Sequence, residues 1–166
     1  MGNPISKPSA TIRAALVALC AAASPYVDAQ APGEIAPPVV KEGATVKISD
    51  HVYVIPDGKA AMVPNVGIIV GTRATLVVDP GMGVASGQVV LREVARVSRN
   101  TELYIVNTHF HSEHTTGEAA FPADTRIVRA KVQQQELEEL GLKHVSTFAS
   151  RSPVIAGVLK IGRAHV

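Results

Sequence analysis

Three of the chain's six histidines fall within six positions, at His109, His111 and His114 of the stretch Asn107–Glu118, NTHFHSEHTTGE, with Glu113 between the second and third. Imidazole and carboxylate are donors suited to zinc, iron or manganese, and the absence of cysteine from this region points to a borderline rather than a soft metal. In an extended segment successive side chains alternate, so His109 and His111 project to one side while Phe110 turns the other way, into the core. A turn at Ser112 then lets Glu113 and His114 face the same cavity. A solvated polar loop is the competing reading. Three histidines in an H-x-H-x-E-H spacing, directly after an apolar strand, favour metal.

The elements that must hold this cluster are legible in the hydrophobic pattern. TVKIS and HVYVI alternate apolar with polar residues around Asp50-His51 and read as two short strands, with His51 at the surface of their turn. VPNVGIIVG (63–71) and ATLVVD (74–79) read as a hairpin of buried strands, stopped by Pro80-Gly81. ASGQVVLREVARVS (85–98) places Val90, Val94 and Val97 on one face, an amphipathic helix capped near Ser86. ELYIVNT (102–108) is a buried strand, and the histidines begin where it ends. Beyond them lie a short strand, TRIVRA, and a helix, KVQQQELEELG, that Gly141 ends; this leaves His144 as a partner for that helix's C-terminal dipole. Ser152-Pro153 starts a further helix. Strands and helices in this order make an α/β layered architecture, in which ligands are held at strand ends.

The N-terminus differs in kind. Lys7 and Arg13 precede the apolar run AALVALCAAA, and Val27-Asp28-Ala29 follows, the pattern of a signal peptide spanning 1–29 and cleaved after Ala29. About ten apolar residues are too few for a membrane span, which needs about 20. The expected location is periplasmic or secreted, without stable membrane insertion after cleavage. Cys20, the sole cysteine, falls within the segment to be removed, so a mature chain has neither disulfide nor thiolate ligand. Residues 30–44, rich in proline, read as an extended linker. Sixteen basic residues against fourteen acidic give a net charge of +2, too balanced for a nucleic-acid footprint, so no nucleic-acid partner is expected.

THFHSEHTTG resembles the T-H-x-H-x-D-H-x-x-G signature of the metallo-β-lactamase fold superfamily, and VGIIVGTRATLVVDPG resembles the hairpin preceding it there. The resemblance covers roughly Thr45 to Leu140. It implies the N-terminal half of a four-layer αββα sandwich, a mixed sheet with helices on its outer face. By the same resemblance His109 and His111 serve a first metal ion, Glu113 and His114 a second, and Asp79 orients ligands or loop from outside the coordination sphere. Glu113 stands where the signature has Asp, and its extra methylene changes the carboxylate's reach. A single-ion enzyme with Glu113 as the catalytic base is one outcome of that change. The chemistry implied is hydrolysis by a hydroxide held on one or two zinc ions, with iron or manganese as alternatives.

The superfamily draws further ligands from its second half, and nothing after Lys160 matches them. IGRAHV (161–166) resembles the translation of a sequencing adapter and reads as a non-native tail; His165 is not counted as a ligand. Residues 45–160 are therefore expected to be a truncated domain, inactive alone. The functional expectation is an exported zinc-dependent hydrolase. The alternatives are an iron-dependent dioxygenase on the same scaffold and a non-catalytic periplasmic metal-binding module. Substrate is not written in the fold.

Overall fold

The computed structural model describes residues 36–159. The expected signal peptide, the first part of the linker and the tail 161–166 lie outside the described residues. Six strands form one mixed sheet in sequence order: β1 (Val46–Lys47), β2 (Val52–Ile55), β3 (Val66–Val70), β4 (Ala74–Val78), β5 (Glu102–Val106) and β6 (Arg126–Val128). Strands β1 to β4 are antiparallel neighbours, whereas β4, β5 and β6 run parallel. The antiparallel part follows from short turns. The parallel part needs crossovers, the first supplied by helix α1 (Gly83–Val97).

Alternation along the strands decides which face is dry. Ile68, Val77 and Ile105 are cross-strand partners on one face, and all three are fully buried. Val89, Val90 and Val94 of α1 complete that core with Ile55 and Val66. Leu76, Val78 and Val106 point to the opposite face and are only half buried. The core is therefore one-sided, built from β-branched and aliphatic side chains with almost no aromatic help.

Residues 36–44 run alongside α1, with a turn at Glu42-Gly43 where Gly43 takes φ +73°. Val40 is buried in the core cluster, and Glu93, fully buried on α1, accepts hydrogen bonds from Gly43 N–H (2.9 Å) and the Thr45 hydroxyl. Ser86 does not cap α1, as its position in the sequence suggests. The N-cap is Met82, with no side-chain bond, and Ser86 lies one turn inside, its Oγ 3.4 Å from both Val40 N and Pro38 O.

The larger correction concerns Gly141. Helix α3 runs from Lys131 to Arg151 without a break, and Gly141 is a buried residue in its middle. Glycine ends helices when it adopts the left-handed conformation, and Gly141 is not among the residues with positive φ. The helix stops instead at Ser152, held extended by the following proline, and α4 (Pro153–Leu159) begins there as expected. His144 is thus an interior residue of α3, not a partner of its C-terminal dipole. Among the described residues no helix is long and apolar enough to cross a membrane.

Candidate metal centre

The site forms because β4 and β5 are parallel and in register. Val78 lies opposite Val106, so the residues that leave the two strands, Asp79 and Asn107-Thr108, emerge side by side. Asp79 takes φ +56°, a left-handed conformation that aspartate tolerates better than most residues and that marks local strain. Its N–H is held by Val106 O at 3.1 Å. That turn brings the carboxylate under the histidine loop. Thr108 N–H donates to Asp79 Oδ1 at 2.8 Å, and the Thr108 hydroxyl donates to Oδ2 at 2.9 Å.

With its hydrogen given to Asp79, Thr108 Oγ1 is left to accept from His109 Nδ1, 3.0 Å away. That assignment places the lone pair of His109 on Nε2. Burial, followed by the neighbouring His114 and His111, holds the His109 imidazole below its ordinary pKa, in the neutral form that ligates metals. The Asp79 carboxyl is pushed up by burial, but His114 and the two Thr108 hydrogen bonds outweigh this and hold it below the ordinary range. It stays an anion.

The chain turns at Ser112 into a short helix, α2 (Ser112–Thr115), followed by a 3-10 turn at Thr116–Ala120. One ligand atom from each of His109, His111 and Glu113 lies within 4.8 Å of the others, so these three side chains could hold a single ion. Glu113 Oε1 is 3.6 Å from His111 Nδ1, while Oε2 is buried without a hydrogen-bond partner among the described residues. A buried carboxylate oxygen left in that condition is costly unless a cation neutralises it, so the donor set fits a metal. His114 stands apart from the three. Its ring lies 4.1 Å from that of His109, but its Nδ1 is 3.0 Å from Asp79 Oδ2, close enough for attraction though outside hydrogen-bond geometry.

Several supporting residues escape a reading of the sequence. Asn107 is buried and donates from Nδ2 to His114 O at 2.8 Å, and Gln133, buried on α3, donates to Asn107 O at 3.2 Å. Glu118 pairs with Arg129 beneath the loop, and burial, outweighing Arg129, pushes the Glu118 carboxyl up. Gly117 is the close-packing point. A Cβ there would collide with Pro80 O and, at 2.8 Å, with Gly81 O, and the Gly117 carbonyl in turn leaves no room for a Cβ at Gly87. Only the H-x-x-G spacing hinted at Gly117.

Phe110 does not enter the sheet core. Its ring stands edge-on to His111 at 5.0 Å and to His144 at 5.7 Å. His144 stacks on His111, with centroids 4.2 Å apart and planes 18° from parallel, and its Nδ1 receives Ser112 N–H at 3.4 Å, a donor the first turn of α2 leaves free. Burial, then His111, holds the His144 pKa below its usual value. Coordination occurs in the plane of an imidazole ring. Stacked rings therefore do not converge on one ion, and His144 positions His111 without joining it as a ligand.

This fold and site have relatives. The family model of the metallo-β-lactamase superfamily matches residues 61–160, and the chain belongs to that superfamily. Among solved structures, a metallo-β-lactamase with a HARLDQ motif from Cronobacter sakazakii, as its S60 mutant, aligns at a TM-score of 0.50 and 16% identity, over 63% of this chain and 40% of that one. BJP-1, a subclass B3 metallo-β-lactamase of Bradyrhizobium japonicum, aligns at 0.49 and 20% identity, over 61% of this chain and 38% of that one. The chain thus spans about two fifths of the length of the solved relatives it matches. No curated protein matches it. The expected mixed-sheet α/β architecture is the one found, as a partial metallo-β-lactamase domain.

Proposed function

We propose that the protein is an exported, zinc-dependent hydrolase of small molecules, with His109, His111 and Glu113 as metal ligands. The observation that carries this reading is the convergence of those three donors, with the second oxygen of Glu113 buried and lacking a hydrogen-bond partner among the described residues. A bound zinc ion supplies Lewis acidity, lowering the pKa of a water toward about 7 and polarising an electrophilic centre.

The chain's own residues do the rest. Thr108, fixed by Asp79, sets the tautomer and direction of His109. His144 fixes the plane of His111. Glu113, at the edge of the cluster and half buried, is placed to hold a proton released from water. His114 is the remaining imidazole, leaning on Asp79 and available to a second ion. Zinc suits the nitrogen and oxygen donors, and iron or manganese would accept the same set.

The test is a zinc titration against a chromophoric chelator, then assays of the zinc form on a panel of lactam, thioester and phosphoester substrates. Micromolar or tighter binding at one ion per chain, lost in His109→Ala, is expected. Binding that survives His109→Ala, or oxygen uptake with ferrous iron where hydrolysis fails, would overturn it.

A further inference from the structure

The turn DPGMG (79–83), between β4 and α1, carries Asp79, Gly81 and Gly83 at left-handed φ of +56°, +88° and +70°. Backbone of that kind persists where its surroundings fix it. On one side the turn holds the end of the histidine loop: Gly117 N–H donates to Gly81 O, and Gly83 N–H donates to Thr116 Oγ1, both at 2.8 Å. On the other side stands Val40. A Cβ at Gly81 would come within 2.8 Å of Val40 Cγ2 and 2.7 Å of Ser86 Cβ. Val40 therefore bears on the bare face of the residue whose carbonyl holds Gly117.

What keeps Val40 there is a carboxylate. Glu93, 1% exposed on α1, takes Gly43 N–H at 2.9 Å and Arg96 at 3.1 Å on Oε1, and the Thr45 hydroxyl on Oε2. Arg92 adds a fork to Glu42 at the surface, two contacts of 2.9 Å. Val40 N–H donates to Ser86 Oγ, and the Ser86 hydroxyl donates to Pro38 O, both at 3.4 Å. From Ser86 to Glu93 the helix rises about 10 Å. The three residues from Val40 to Gly43 span about 10 Å at most. The two catches thus admit one register, and a shift of one residue along α1 would break one or the other. An aliphatic side chain at 93 would pack without needing partners, so the buried charge is accounted for by the register it sets.

We propose that residues 38–45 are a positioning strap for the histidine loop, with Glu93 and Val40 as its positioning residues. Glu93 sets the register of the strap on α1. Val40 then braces Gly81, and the Gly81 carbonyl fixes Gly117, three residues beyond His114. Both act through the turn and not as ligands. That the strap tunes metal affinity rests on the metal-site reading, whereas its hold on the loop does not.

The experiment is residue-resolved hydrogen exchange by NMR on the full, metal-free chain, followed by zinc competition with a chromophoric chelator. Val40→Ala removes two buried methyl groups, so the Gly117 amide should exchange about tenfold faster than in the parent. Val94→Ala, a core truncation further along α1, is the control. Both variants should speed exchange at Ile68 and Val77 on the central strands, which reports global opening, but only Val40→Ala should move Gly117. Glu93→Gln keeps an acceptor for one of the two strap donors, so its Gly117 rate should fall between the parent and Glu93→Leu. Zinc should weaken by up to about tenfold in Val40→Ala, the lower end for loss of an orienting partner, and hold in Val94→Ala. A Gly117 amide unmoved in Val40→Ala, or accelerated as much in Val94→Ala, overturns the strap. Unchanged zinc affinity in Val40→Ala overturns its bearing on the metal. A parent that binds no zinc sinks the metal-site reading instead, and the exchange rates still decide the strap.

Discussion

The loop 107–118 and helix α3 face each other across one groove, yet they reach it by different routes. In the loop, three donors lie within five positions, and strand alternation followed by one turn suffices to gather them. On α3, His144 arrives from the far side of a crossover, carried there by a helix that continues through a glycine. Local geometry builds the first wall. Packing builds the second, and the difference predicts how each should respond to change.

Removal of a loop ligand has the largest effect. His111→Ala should weaken zinc by more than about 100-fold, exceeding the 10–100-fold typical of losing an orienting partner, whereas His144→Ala should stay near or below the lower end of that range. Chelator competition reads both, and similar losses in the two variants would erase the distinction between the walls.

Asp79→Ala comes next, at about 10–100-fold in zinc affinity, because Thr108, His109 and His114 all take their bearings from that carboxylate. Its depressed pKa adds a sign. The stability it lends is present above about pH 4, the unfolded value, and is lost as pH falls through the lower folded value. Thermal melts between pH 2 and about 5 should show a shallower acid limb in the variant than in the parent; superimposable limbs count against the role.

Gly117→Ala tests how the loop is seated. The added methyl meets backbone at Pro80 and Gly81, which cannot rotate away, so destabilisation of about 1–3 kcal/mol or more is expected in urea melts. The smallest effect is of opposite sign. Gly141→Ala lies in a continuous helix, where its Cβ would meet the Leu137 side chain, Cδ1 at 3.0 Å and Cγ at 3.6 Å, which can move aside. Stabilisation by up to about 0.5–1 kcal/mol follows. A loss of similar size would restore a helix end at Gly141 and dismantle the second wall.

Much of this was open to a reader of the sequence. The strands, α1, the hairpin turn at Gly71-Thr72-Arg73 and the start of α4 follow from apolar period and from proline and glycine punctuation. The candidate metal donors were visible because they are neighbours. Ser86 misled because a serine near a helix start reads as a cap, and only the fold shows that it meets residues 38–40. Gly141 misled because the conformation that makes glycine a terminator is chosen by context. Asn107 and Gln133 gave no signal, since a buried amide that carries a backbone bond looks like any polar residue.

By itself, then, the sequence determined the stretch of candidate metal donors and the α/β order of the elements. Both depend on side-chain periodicity and on donors a few residues apart, and such local geometry survives in one dimension. The tertiary structure alone decided that Asp79 meets Thr108, because that depends on the parallel register of β4 with β5. It likewise decided that α3 turns His144 toward His111. Contacts between residues distant in the chain are fixed by packing, and packing is a property of the folded molecule.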